Sequence, residues 1–220
     1  MALHLRPWLA VAALISAVLA CSPLESLQGL AGGGGGGGEV LFEDDFSSTS
    51  SGWDQVDSSD RVTDYDNGAY LIRVNDTNSD AWANPGKTFG DVRVEVDATK
   101  TGGDDNNNFG VICRSQAGSV DDFYTLWISS DGYYAIVKIE NGDLGFLVEW
   151  QTSDAINQGN TTNHIRGDCV GSTLSVYANG TLLGSADDST FTSGDVGLEA
   201  GTFDVGGTEI RFDNFVVSQP

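Results

Sequence analysis

Short runs rich in Val, Ile, Tyr and Phe recur from residue 39 to residue 220, most of them alternating apolar with polar positions, and Asn-Gly or Asp-Gly pairs separate several of them. Alternation with period two marks a strand with one buried face. The Asn-Gly and Asp-Gly pairs suit the left-handed backbone of type I′ hairpin turns. No window of twelve residues carries an amphipathic helical period. The pattern predicts an all-β protein, an antiparallel sandwich of two sheets.

One stretch predicts its own register. A two-residue turn at Asp131-Gly132 sets Ser130 against Tyr133, Ile128 against Ala135, Leu126 against Val137 and Tyr124 against Ile139. A second turn at Asn141-Gly142 sets Ile139 against Leu144, Val137 against Phe146, Ala135 against Val148 and Tyr133 against Trp150. Both turns therefore predict a meander with one apolar face, and a slip of one residue would turn that whole set over. The opposite face is mixed: Phe123, Thr125, Trp127 and Ser129, then Tyr134, Ile136, Lys138 and Glu140, then Leu147 and Glu149. A strand from Asn108 to Gln116 adds Arg114 beside it.

Aromatic rings among charged side chains suit sugars, whose C–H faces stack on rings while their hydroxyls take polar partners. The candidate ligand-binding residues are Arg114, Trp127, Tyr134, Lys138 and Glu149. The alternative is that loops cover this face as a second, minor core. Phe146, in the apolar set on the opposite face, is expected in the main core.

The N-terminus changes the cellular picture. His4 and Arg6 precede an uncharged apolar run, Trp8 to Ala20, too short to span a bilayer, so residues 1–20 read as a signal peptide. Val18-Leu19-Ala20-Cys21 resembles the bacterial lipobox, which makes Cys21 the expected lipidation site. Residues 21–38 read as a lipid-anchored linker ending in seven consecutive glycines, leaving 39–220 as one sandwich domain. The expected location is outside the cell, anchored to the cell membrane or outer membrane by that lipid alone. Arg6 and Glu25 cancel outside the domain, so the domain carries the whole net charge of −22. Such a surface repels phosphate backbones, which excludes nucleic acid as a partner.

Leu41-Phe42-Glu43-Asp44-Asp45-Phe46 with Gly52-Trp53 opens the domain, Asn179-Gly180 forms a late hairpin, and Ile210-Arg211-Phe212-Asp213-Asn214-Phe215-Val216-Val217 closes it. Over Val40 to Ser218 this resembles the concanavalin A-like lectin/glucanase superfamily, especially laminin-G-like and 3-keto-disaccharide hydrolase-like domains of bacterial lipoproteins. The resemblance implies a jelly roll, a fold that hosts lectins and hydrolases alike. Its glucanases carry Glu-x-Asp-x-x-Glu on a strand. This chain offers Glu95-Val96-Asp97-Ala98-Thr99-Lys100, with lysine where the acid/base belongs, so no catalytic residue is assigned.

His164 is the sole histidine beyond the leader, too few for a catalytic triad or zinc hydrolase site. Arg166-Gly167-Asp168 matches an integrin-binding tripeptide but falls within a strand pattern. Cys113 and Cys169 both fall on inward positions, and an even pair in an oxidising compartment predicts a disulfide. No cofactor is required. A structural calcium is conceivable in the oxygen-rich loop Gly102 to Asn108, or near Asp45 and Asp213, where related jelly rolls place one. The sequence thus leads to a surface lipoprotein that binds glycan or another extracellular ligand without catalysis. The alternatives are a glycoside or 3-keto-disaccharide hydrolase and a structural or adhesive cell-envelope module.

Overall fold

Three Asn-Gly pairs make the turns their chemistry favours: Asn67-Gly68, Asn141-Gly142 and Asn179-Gly180 all take positive φ at both residues, between 51° and 82°. They join strands in a computed structural model that describes residues 38–118 and 121–220. The leader, Cys21 and nearly all of the glycine linker lie outside the described residues.

The strands are β1 (Val40–Asp44), β2 (Val56–Asp57), β3 (Arg61–Asp66), β4 (Ala69–Val74), β5 (Ser79–Ala83), β6 (Val92–Gly102), β7 (Asn108–Ser115) and β8 (Phe123–Ser129). After these come β9 (Tyr133–Glu140), β10 (Asp143–Thr152), β11 (Thr162–Val170), β12 (Thr173–Ala178), β13 (Thr181–Asp187), β14 (Asp195–Thr202) and β15 (Thr208–Ser218). Nine form one antiparallel sheet in the order β13-β12-β11-β6-β15-β4-β3-β2, with β1 added against β15. Six form the other, in the order β10-β9-β8-β7-β14-β5.

The main core lies between the sheets. Val92, Val94, Val96 and Ala98 of β6 face Val111 and Cys113 of β7, Leu126 and Ile128 of β8 and Ile136 of β9. In β15 the inward positions step from Phe212 to Phe215, a break in the period of two. A bulge at Asn214, with φ of 53°, absorbs the extra residue. A disulfide between Cys113 on β7 and Cys169 on β11 ties the two sheets together.

The opening motif is structural. Asp44, buried, accepts the Trp53 indole N–H at 2.9 Å and the Phe46 amide at 2.8 Å, and Trp53 packs edge-on to Phe46 and Phe215. Glu95 and Asp97 lie on the outer side of the nine-stranded sheet, both against His164, while Lys100 turns inward. Arg166 pairs with its own Asp168, and Gly167 packs inward against Val111, so the tripeptide is part of a strand and not a presented loop.

The meander corrects the expected register. Gly132 alone takes positive φ at the β8–β9 turn, and its amide bonds Ser129 O at 3.1 Å, so the chain uses a three-residue connection. The pairing becomes Ile128 with Tyr134, Leu126 with Ile136 and Trp127 with Ala135. This slip of one residue turns Tyr134 and Ile136 into the main core and puts Ala135, Val137 and Ile139 on the outer face. The Asn141-Gly142 turn holds the expected pairs Leu144 with Ile139 and Phe146 with Val137. Two bulges beyond Phe146 then swing Leu147 and Val148 inward and return Trp150 to the outer face. Phe146, expected in the core, is 37 % exposed.

Candidate functional site

The outer face of the six-stranded sheet is built from rows that run across its strands. In one row Trp127 pairs with Gly110, and Gly110 with Glu199. A Cβ at Gly110 would stand 2.0 Å from Leu126 O, so only glycine fits there. With no side chain between them, the Trp127 indole reaches across β7 and donates to Glu199 Oε2 at 2.8 Å. Thr125 Oγ1 donates to the same oxygen at 2.5 Å. In the next row Asp80 pairs with Gly201, whose absent side chain leaves room for Asp80 and Asn108 to converge.

Glu199 is 2 % exposed. Burial pushes its carboxyl up to about 8, the neighbouring Asp80 charge adds to that, and the bonds from Thr125 and Trp127 oppose it without prevailing. Burial raises Asp80 as well. Glu199 and Asp80 therefore hold a proton between them well above the usual carboxylate range.

Above this polar floor lies a layer of rings. Trp150 stacks on Trp127 at 5.8 Å between centroids and 18° between planes, while Phe203 meets Trp150 edge-on at 6.1 Å and 82°. Trp82 on β5 leans onto Phe123 at 5.6 Å. Trp127 is buried, with Ala135 and Val137, as a small second core, whereas Trp150 is only half-buried. Beside Trp150 opens a pocket of about 270 Å³ lined by Asn106, Ser129, Asp131, Tyr133, Trp150 and Phe203. Asp131 is oriented by Ser129 Oγ, which donates to its Oδ1 at 2.5 Å.

Of the five residues expected to form a ligand site, only Trp127 lies in this outer ring layer. Arg114 is buried, donating to Phe191 O at 2.9 Å and Asp91 Oδ1 at 3.2 Å. Tyr134 faces the main core, where its ring fills the space beside Gly184. Lys138 Nζ binds Thr190 at 3.0 Å, Glu140 at 3.0 Å and Asp188 at 3.4 Å. Glu149 is exposed on β10. The face that would have joined them depended on the register that slipped.

Glu199, Asp80 and Phe203 went unforeseen, and Tyr133 and Trp150 had been expected on the apolar, inward face. A lone glutamate among apolar and small residues in Val196-Gly197-Leu198-Glu199-Ala200-Gly201 was the available signal. At the expected calcium positions, Asp45 accepts from Ser47 N at 3.0 Å and Asp213 from Asn214 N at 2.7 Å. Among the described residues no three His, Cys, Asp or Glu side chains gather to hold a metal ion.

No protein-family model matches the chain, and no curated protein does. Solved structures do. The carbohydrate-binding module CBM66 from Bacillus subtilis superposes with a TM-score of 0.62 at 19% identity, over 76% of this chain and 96% of that one. A Bacillus subtilis protein of unknown function with a galectin-like fold gives 0.60 at 13% identity, over 84% and 97%. Bacillus licheniformis β-glucanase gives 0.56 at 13% identity, over 84% and 99%. The fold is concanavalin A-like. Identities this low establish the architecture of the sandwich and leave the chemistry to its own residues.

Proposed function

We propose that this concanavalin A-like domain binds carbohydrate without cleaving it, at the pocket beside Trp150. The observation that carries the reading is the convergence there of three rings, Tyr133, Trp150 and Phe203, with the polar side chains of Asn106, Ser129 and Asp131. A ring that stays half-exposed while stacked on a buried partner offers a flat face for sugar C–H groups, and the carboxylate and amide suit hydroxyls. Beneath it Glu199 holds Trp127, and Trp127 supports Trp150. The solved neighbours include a carbohydrate-binding module, which agrees with this ligand class.

Asp131 is the sole carboxylate lining the pocket, whereas glycoside hydrolysis ordinarily needs two. The observation that favours a hydrolase is the proton held between Glu199 and Asp80, as a general acid holds one. Rings cover Glu199, and the binding reading stands ahead of it. We place the domain outside the cell, tethered through Cys21, on the strength of the leader and lipobox in the sequence.

A glycan array probed with the protein tests the reading, together with an assay for reducing sugar released from whichever glycans bind. Binding without release is the expected result. Release that disappears in Glu199→Gln would establish the hydrolase instead, and an array with no binder would leave the structural module.

A further inference from the structure

A second cavity, of about 670 Å³, opens at the opposite edge of the six-stranded sheet and shares no lining residue with the Trp150 pocket. Trp82 of β5 forms one wall, and the rest comes from four connections: Asp54 before β2, Asn84 and Thr88 after β5, Gln116 after β7, and Asp195 at the start of β14. Trp82 and Trp150 sit on the two edge strands, five strand spacings apart, or roughly 24 Å at about 4.8 Å each.

These connections brace one another. Asp54 N bonds Asn84 O at 3.3 Å, and Phe89 exchanges two backbone bonds with Gly194, at 2.8 and 2.9 Å. The Asn84 amide nitrogen donates to Val196 O at 2.7 Å, and that of Gln116 donates to Ser193 O and Arg114 O, each at 2.7 Å. Asn84 N donates to Asp54 Oδ2 at 3.2 Å. Gln116 thus spends both amide hydrogens on the protein's own carbonyls, and Asn84 one of its two. What the lining offers a ligand beside the half-buried ring of Trp82 is the carboxylates of Asp54 and Asp195, the amide oxygens of Asn84 and Gln116, and the hydroxyls of Thr88, Ser115 and Ser193. None of the lining residues is Lys or Arg.

A cavity with two carboxylates, two amide oxygens, one aromatic wall and no cation favours a ligand that brings donors and no negative charge. Sugar hydroxyls, or the ammonium of an amino sugar, meet that demand, and a uronate or phosphate does not. From this geometry we infer that the Trp82 cleft is a second saccharide site, specific for neutral or amino sugars and independent of the Trp150 pocket. The inference shares with the functional reading only the ligand class.

The test follows the tryptophan indole resonances of the full-length protein by ¹⁵N-labelled NMR, assigned through Trp82→Phe and Trp150→Phe. The probes are laminaritriose, chitotriose, the glucosamine trimer and trigalacturonate. The expected result is that at least one neutral or amino probe shifts the Trp82 resonance, still does so in Trp150→Ala, and binds there about tenfold more weakly in Asp54→Asn, a loss of roughly 1.4 kcal/mol. Shifts at Trp150 with none at Trp82 overturn the second site and leave the first standing. Shifts at Trp82 with none at Trp150 overturn the functional reading and uphold the second site. Silence at both overturns both, and a Trp82 shift by trigalacturonate contradicts the acceptor argument.

Discussion

Glu199 and His164 both hold a proton to higher pH in the folded protein than in the unfolded chain. Glu199 releases its proton at about pH 8 in the folded protein, whereas an unfolded glutamate does so near ~4.3. The folded state binds the extra proton between those values, so this contribution to stability falls as pH rises through the interval. His164, drawn up to about 9 by its bond to Glu95, with Asp97 adding and burial opposing, acts in the same direction. Its contribution is complete below ~6.5, the unfolded value, and is lost as pH rises through 9. Melting curves from about pH 5 to about pH 9 should therefore decline for the parent protein. Glu199→Gln should flatten the lower part of that decline and His164→Gln the upper part, and an unchanged slope below about pH 8 in Glu199→Gln contradicts a protonated carboxyl. At this scale the sequence was half legible. The isolated glutamate could be seen, but its bond to Trp127 arises because β14, β7 and β8 lie side by side, an order no local pattern contains.

The β8–β9 hairpin shows how one turn decides which face a strand presents. Asn141-Gly142 adopts positive φ at both positions and kept its expected register through Phe146, whereas Asp131 stayed out of the left-handed region and the chain used one more residue. The apolar residues of β9 are nearly continuous, Tyr133-Tyr134-Ala135-Ile136-Val137, so either register buries hydrophobic surface and composition could not choose between them. The consequence for stability is a reversal. Trp127, 2 % exposed, should cost about 3–5 kcal/mol on truncation to Ala. Phe146, 37 % exposed on the edge strand β10, should cost only ~1 kcal/mol. Urea denaturation of the two variants checks this, and a Phe146→Ala loss equal to or larger than that of Trp127→Ala would restore the two-residue turn.

At the scale of the whole molecule, fold class followed from period-two alternation and turn pairs, because those signals are local and repeated along the domain. The disulfide closes a sequence separation of 56 residues between the two sheets and, on loop entropy, contributes about 4 kcal/mol. The location of the proposed binding face was legible as far as the outward positions of β8, since Trp127 and Thr125 lie where alternation puts them. Trp150 and Phe203 reached that face through two bulges and a loop, which leave no periodic trace. The central claim is that Trp150, supported by Trp127 and Glu199, is the sugar-stacking surface. It is tested most directly by calorimetric titration of the best array ligand into the parent protein and into Trp150→Ala, with melting temperatures recorded on both. The account predicts a loss in affinity of at least about tenfold, ~1.4 kcal/mol, with melting shifted by only a few degrees. Unchanged affinity in a folded Trp150→Ala protein would contradict it.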